Sequence, residues 1–117
     1  MSEICLCLPF PPTMNHYWLR TRNGGLRLSD AGEVFREEAT LIGRHAGTVS
    51  GRLEVWVTLQ PPDHRIWDLD NRLKPVLDAL QHSGVIENDG HIDKLHVERA
   101  DVNKGNGVCL VRIRSIG

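Results

Sequence analysis

Apolar residues recur along this chain with two periods, two in some stretches and about 3.6 in others, and the switches between them mark out its elements. Glu3-Ile4-Cys5-Leu6-Cys7-Leu8 reads as a short first strand, stopped by Pro9-Phe10-Pro11-Pro12, which cannot continue a ladder. From Gly51, Leu53, Val55, Val57 and Leu59 alternate with Glu54, Trp56, Thr58 and Gln60, a half-buried strand closed by Pro61-Pro62. Leu95 and Val97 begin a third strand. After the turn-forming Asn103-Lys104-Gly105-Asn106-Gly107, Val108 to Ile113 alternates into a fourth.

Two stretches carry the helical period. Ala31, Val34, Phe35, Ala39, Ile42 and Ala46 predict a helix capped by Ser29 or Asp30, with Asp30 and Glu33 in capping-box spacing and Gly47 as its stop. Leu73, Val76, Leu77 and Leu80 share a face, predicting a second helix from about Asn71 to His82 before Ser83-Gly84. Pro75 fits there only if the helix begins near Asn71 or later, where few intrahelical bonds are owed by its missing N–H. Thr13 to Leu28 has no period. It reads as a long basic loop in which Arg20, Arg22 and Arg27, beside Tyr17 and Trp18, either suit a phosphate backbone with bases to stack on or simply decorate the surface. The order β-α-β-α-β-β predicts an α+β fold: a two-layer domain with a mixed four-stranded sheet and two helices on one face.

Composition narrows the class. With 117 residues, 40% hydrophobic and 25% charged, residues 1–117 make one domain with ordinary globular proportions, excluding a disordered acidic tail or a disulfide-dense miniprotein. No apolar run approaches the roughly 18 residues of a membrane span. Met1-Ser2-Glu3 lacks a signal peptide's basic flank, so a soluble cytoplasmic chain with no membrane partner is expected. Cys5, Cys7 and Cys109 have no CxxC spacing and read as buried small residues on strands. The net charge of −1 argues against a protein that coats nucleic acid, although the balance turns neutral or positive if metal ions hold a few acids.

The chemistry concentrates in Trp67-Asp68-Leu69-Asp70-Asn71-Arg72-Leu73-Lys74. Two carboxylates one residue apart, on an extended segment ahead of a helix, can point the same way while Leu69 turns into the core. One N-cap needs one Asp; a second favours a hard cation such as Mg²⁺, with Mn²⁺ as a substitute, in the absence of nearby thiols. A further acidic turn, Glu87-Asn88-Asp89-Gly90-His91-Ile92-Asp93, follows the second helix, but spacing alone does not bring it beside Asp70. Neither cluster has the EF-hand order. Lys74 stands four residues after Asp70, either as an i,i+4 ion pair or as a cation over a phosphate beside the metal. His64, His82, His91 and His96 have no mutual ligand spacing, and no organic cofactor is implied.

The segment Asp68-Leu69-Asp70-Asn71-Arg72-Leu73-Lys74-Pro75-Val76-Leu77-Asp78-Ala79-Leu80, with Gly84-Val85-Ile86-Glu87-Asn88-Asp89, closely resembles the signature of the RusA-type Holliday junction resolvases. The resemblance extends to the Pro-rich end of the first strand with Asn15 soon after, to Ser29-x-x-Gly32, and to the chain's length. It implies a homodimeric, Mg²⁺-dependent endonuclease, phage-encoded or bacterial and acting at the nucleoid, that resolves four-way DNA junctions in recombination and repair by paired nicks. By position, Asp68, Asp70 and Asp89 match the family's metal-binding catalytic aspartates and Lys74 its essential lysine, with the Asp89 turn brought back beside the pair. Asn71 is expected to orient a ligand or cap the helix, and Asp78 to position Lys74. Two departures stand out. Asn88 occupies a position where members often have a second Asp, and the often strongly basic run before the pair is here Asp63-His64-Arg65-Ile66-Trp67. Arg65 is thus expected to share DNA binding with Arg20, Arg22 and Arg27. Rival readings are a nuclease for flaps or RNA hybrids and a non-catalytic junction-binding protein.

Overall fold

The computed structural model describes residues 3–117. Strand β1 (Glu3–Pro9) is followed by a single helical turn, α1 (Met14–Tyr17), and a hairpin of β2 (Trp18–Arg20) and β3 (Leu26–Leu28). Helix α2 (Asp30–Ala46), β4 (Leu53–Gln60), α3 (Leu73–His82), β5 (Ile92–Arg99) and β6 (Val108–Ser115) complete the chain, with 3₁₀ turns at Asp70–Arg72 and Asp89–His91. The α+β fold and its four-stranded mixed sheet are as expected, with a second, two-stranded sheet added.

The main sheet has the order β1-β6-β4-β5, with β6 antiparallel to both neighbours and β4 parallel to β5. A parallel pair cannot be joined by a tight turn, and α3 lies in the crossover that joins this one. The segment from β5 to β6 passes the end of β4, where Ala100 N–H donates to the Leu59 carbonyl and Asn103 N–H to that of Pro61. Strand β6 is therefore internal, and Val108 to Ile113 offers no edge to a partner.

Alternation decides which face each residue takes. Leu6, Leu8, Leu53, Val55, Val57, Leu59, Cys109, Val111 and Ile113 face the helices and are buried. Phe35 and Ala39 of α2 and Val76, Ala79 and Leu80 of α3 close over them. The stripe on α2 is rotated from the predicted one: Val34 is 54% exposed. The other sheet face is open and carries Trp56, Leu110 and the exposed Cys5 and Cys7. Only Cys109 is the buried cysteine expected, and burial pushes its thiol up to about 12, which keeps it protonated and inert.

The segment Thr13 to Leu28 is the largest departure from expectation. Tyr17 is fully buried, so its ring is not free to stack on a base, and the half-buried Trp18 lies edge-on to it at 5.2 Å. Ser29, rather than Asp30, caps α2 by accepting from Gly32 N–H at 2.9 Å. A side chain at Gly32 would put its Cβ 2.5 Å from the Tyr17 carbonyl, so glycine is required for α1 to lie this close. The Tyr17 hydroxyl donates to Asp78 of α3, and burial together with that carboxylate raises its pKa to about 12. Arg36 of α2 donates to the same Asp78 oxygen through Nη2 at 2.8 Å. Three elements thus converge on one carboxylate. Asp78→Ala leaves a half-buried guanidinium and a buried hydroxyl without their acceptor, and should cost about 1–3 kcal/mol in urea unfolding. Asp78→Asn, which keeps an acceptor, should cost less.

Candidate active site

Strand β4 ends at Pro61-Pro62, and an irregular segment leads to the two aspartates. They do not stand on an extended strand. Leu69 has helical dihedrals (φ −57°, ψ −46°), Asn71 N–H donates to the Asp68 carbonyl at 3.2 Å, and the 3₁₀ turn runs on into α3. A 3₁₀ start delays the α-helix to Leu73, so Pro75 lies in its first turn, where its missing N–H costs nothing. Leu69 does turn to the core, leaving Asp68 and Asp70 exposed. Neither carboxylate enters an ion pair among the described residues. Asn71 is half-buried.

Asp89 arrives from the far side of α3. The helix ends at Gly84 (φ +81°), a left-handed position suited to glycine, and the N–H groups of Val85 and Ile86 turn back to the Leu80 carbonyl at 3.1 and 3.4 Å. Val49 N–H bonds the Val85 carbonyl at 2.9 Å, fixing the return. Asn88 then caps the second 3₁₀ turn, its side-chain carbonyl accepting from Gly90 N–H at 2.7 Å. Asp89 N–H donates to the Gln81 side chain at 2.9 Å, and the Asp89 carboxylate accepts from Lys74 Nζ at 2.8 Å. The turn therefore lies along one face of α3, and Lys74 pairs with Asp89 rather than with Asp70.

This geometry corrects one expectation. Asp78 does not reach Lys74, because Arg36 and Tyr17 on the α2 side take it. Among the described residues no three His, Cys, Asp or Glu side chains converge tightly enough to make a metal cluster. The donor chemistry of Asp68, Asp70 and Asp89 is nonetheless all carboxylate oxygen, the set that hard divalent cations take. Lys74 and Asp89 are 52% and 28% exposed in their side chains, so their ion pair is open to solvent and to exchange with a ligand.

The rim of the site is aromatic and basic, a feature that spacing does not disclose. Trp67 packs edge-on to Phe10, with ring centroids 5.6 Å apart. The Arg72 guanidinium lies 4.7 Å from the Phe10 ring and 5.1 Å from that of Trp67, and Arg99 lies 4.2 Å from Trp67. Burial lowers the pKa of Arg72, whose Nε has no hydrogen-bond partner among the described residues.

Arg20, Arg22 and Arg27 are exposed on the hairpin, and Arg65 is exposed beside Asp63, 3.6 Å away. Leu19 pairs with Arg27 and Arg20 with Leu26, so Arg20 and Arg27 leave opposite faces of the ribbon. A phosphate backbone lying against one face would meet only part of the set. If the ribbon instead enters a groove, replacing all three arginines by Ala should lower affinity for branched DNA and flatten its salt dependence by close to one logarithmic unit for each phosphate no longer engaged.

A profile of the family described as "Endodeoxyribonuclease RusA" matches residues 9–114. The crossover junction endodeoxyribonuclease of Enterobacteria phage HK97 is 35% identical over 121 residues, covering 99% of this chain and 100% of the relative. The proteins of the same name from Shigella sonnei (strain Ss046) and Escherichia coli (strain K12) are 31% and 30% identical, over 90% of this chain and 89% of each relative. With the profile spanning nearly the whole domain and the likeness running from end to end, the chain belongs to the RusA endodeoxyribonuclease family.

Proposed function

We propose that this protein is a divalent-cation-dependent endonuclease that resolves four-way DNA junctions as a homodimer, in recombination and repair. The observation that carries the reading is the return of Asp89 onto α3, which sets a carboxylate 2.8 Å from the Nζ of Lys74, itself four residues along the chain from the solvent-facing Asp70. Asp68, Asp70 and Asp89 would hold Mg²⁺, or Mn²⁺ in its place. When bound, the cation would supply an activated water and polarise the scissile phosphate. The chain's own contribution is positional. Lys74 offers an ammonium to the non-bridging phosphoryl oxygens as their charge builds, and Asp89 holds that ammonium in place until phosphate arrives. Negative side chains facing phosphates without a cation would only repel DNA, which weighs against a non-catalytic binding protein.

Substrate symmetry supports two chains. Productive resolution cuts two strands of like polarity at points related by a two-fold axis, and one chain carries a single Asp68, Asp70, Lys74 and Asp89 set. With β6 internal, we take the open sheet face as the surface for pairing. It holds a shallow groove of about 540 Å³ lined by Cys5, Cys7, Trp56, Leu110 and Arg112. On that face Arg112 pairs with Glu3 at 2.7 Å and Arg114 with Glu54 at 2.8 Å, so covering these four strands none of them, while Lys94 and Glu98 stay at its β5 margin outside any ion pair among the described residues.

The test is incubation with a synthetic four-way junction, a flap and a linear duplex, each with Mg²⁺ and with EDTA. Cleavage confined to the junction with Mg²⁺ is expected, and equal cleavage of all three would return the protein to a general nuclease. Sedimentation at micromolar concentration should give twice the chain mass. A mixed dimer with one Asp70→Asn subunit should nick one strand without resolving the junction; paired cleavage by that mixed dimer would overturn the symmetry argument.

A further inference from the structure

Asp68 and Asp70 project from a backbone that their own side chains do nothing to fix, since neither enters an ion pair among the described residues. Within the segment Leu69 packs on the core and Asn71 N–H bonds the Asp68 carbonyl, and its two ends are Trp67 and Arg72. These two touch: the Arg72 guanidinium lies 5.1 Å from the Trp67 ring centroid, so the four residues between them form a closed loop. Each end is tied to a different strand. Arg72 Nη1 donates to the Pro11 carbonyl just beyond β1 at 2.5 Å, and Arg99, the last residue of β5, donates to the Trp67 carbonyl at 2.5 Å. Arg99 also lies over the ring, 4.2 Å from its centroid, so Trp67 is held through both its backbone and its side chain.

We propose that Trp67, clasped between Arg72 and Arg99, is a positioning residue that sets the backbone from which Asp68 and Asp70 bind a divalent cation, without itself touching that cation. The inference rests on reading Asp68 and Asp70 as cation ligands. Burying a tryptophan in the core would need neither arginine. Trp67 is only half-buried, at the core's rim, and Arg72 places a partly buried charge there with its Nε unpartnered among the described residues. Such supporting contacts orient ligands, and losing one typically weakens metal affinity about 10–100-fold.

Electrostatics gives the opposite sign, which makes the idea testable. If Arg99 acts only as a charge near the site, removing it relieves repulsion and tightens cation binding. If it clasps Trp67, removing it loosens the loop and weakens binding. Mn²⁺ titrated into DNA-free protein, with free Mn²⁺ read by electron paramagnetic resonance, measures this independently of cleavage. Trp67→Leu should weaken Mn²⁺ binding about 10–100-fold, Trp67→Phe should recover most of the loss because a ring remains between the guanidiniums, and the exposed Arg99→Gln should weaken binding. Circular dichroism and urea midpoints establish that each variant is folded. Should Trp67→Leu fail to fold, Arg99→Gln still decides by its sign. Wild-type or tighter Mn²⁺ binding by Arg99→Gln, or unchanged binding by folded Trp67→Leu, while Asp70→Asn has lost it, would overturn the clasp and leave the metal site standing. Undiminished Mn²⁺ binding by Asp70→Asn would overturn both together.

Discussion

Asp70→Asn is expected to abolish junction cleavage while keeping or tightening junction binding in EDTA. The substitution preserves size and removes one carboxylate charge from an exposed position facing incoming phosphates, so metal-free affinity should hold or rise. It also removes a hard oxygen donor that a neutral carboxamide replaces poorly, so the cation-dependent step should fail. Fold stability should scarcely change, because Asp70 is exposed and outside every ion pair among the described residues. Gel shift in EDTA and a single-turnover cleavage assay in Mg²⁺ measure the two halves separately. A variant that cleaves at near wild-type rate would show that the cation site lies elsewhere.

Elements with a strong period are legible in the sequence. Strands β4 and β6 alternate cleanly because one face packs on helices and the other meets solvent, and α3 shows its apolar stripe for the same reason. The pattern discloses β5 only from Leu95, although the strand begins at Ile92. It is an edge strand with most of its side chains exposed, so burial imposes little alternation on it. The hairpin leaves no trace in the pattern at all. Its strands have three residues each, too few to show a period, and the order of the segment comes instead from Tyr17 reaching α3 across 61 positions.

The candidate site divides in the same way. The spacing of Asp68 and Asp70 points to a cation, but the hydrogen bonds that tie the flanking residues to distant ones, Arg72 to Pro11 and Arg99 to Trp67, are encoded by no local pattern. Asp78 shares the i,i+4 relation with Lys74 that favours contact on a helix, yet α2 brings Arg36 to the other side of the same carboxylate. A rigid guanidinium at 2.8 Å, with a tyrosine hydroxyl beside it, outcompetes a flexible ammonium. Trp67 beside the aspartates and Arg72 between Asp70 and Lys74 are visible as residue types. Only the fold shows that they meet.

Lys74→Ala should slow cleavage by about 10²–10³-fold, the scale of one lost transition-state donor, and change junction binding far less. The structure sharpens this by giving Lys74 one partner among the described residues, Asp89 at 2.8 Å, with its side chain 52% exposed. A surface pair of that kind contributes little to stability, about 0–1 kcal/mol. Unfolding therefore cannot account for a large loss of rate, and the deficit must lie in chemistry or in binding. Removing one cation among several that engage phosphates changes the salt slope by about one unit, a modest effect on affinity. Single-turnover rates at saturating enzyme separate the two, since a binding defect vanishes there and a chemical one persists. Lys74→Arg should restore the charge but not the full rate: the ammonium is a compact point charge, whereas the guanidinium is a planar fork that favours two parallel bonds to a carboxylate. The introduced guanidinium would then clamp Asp89 rather than yield it. A loss from Lys74→Ala that disappears at saturating enzyme would make Lys74 a phosphate contact and not the cation that stabilises the transition state.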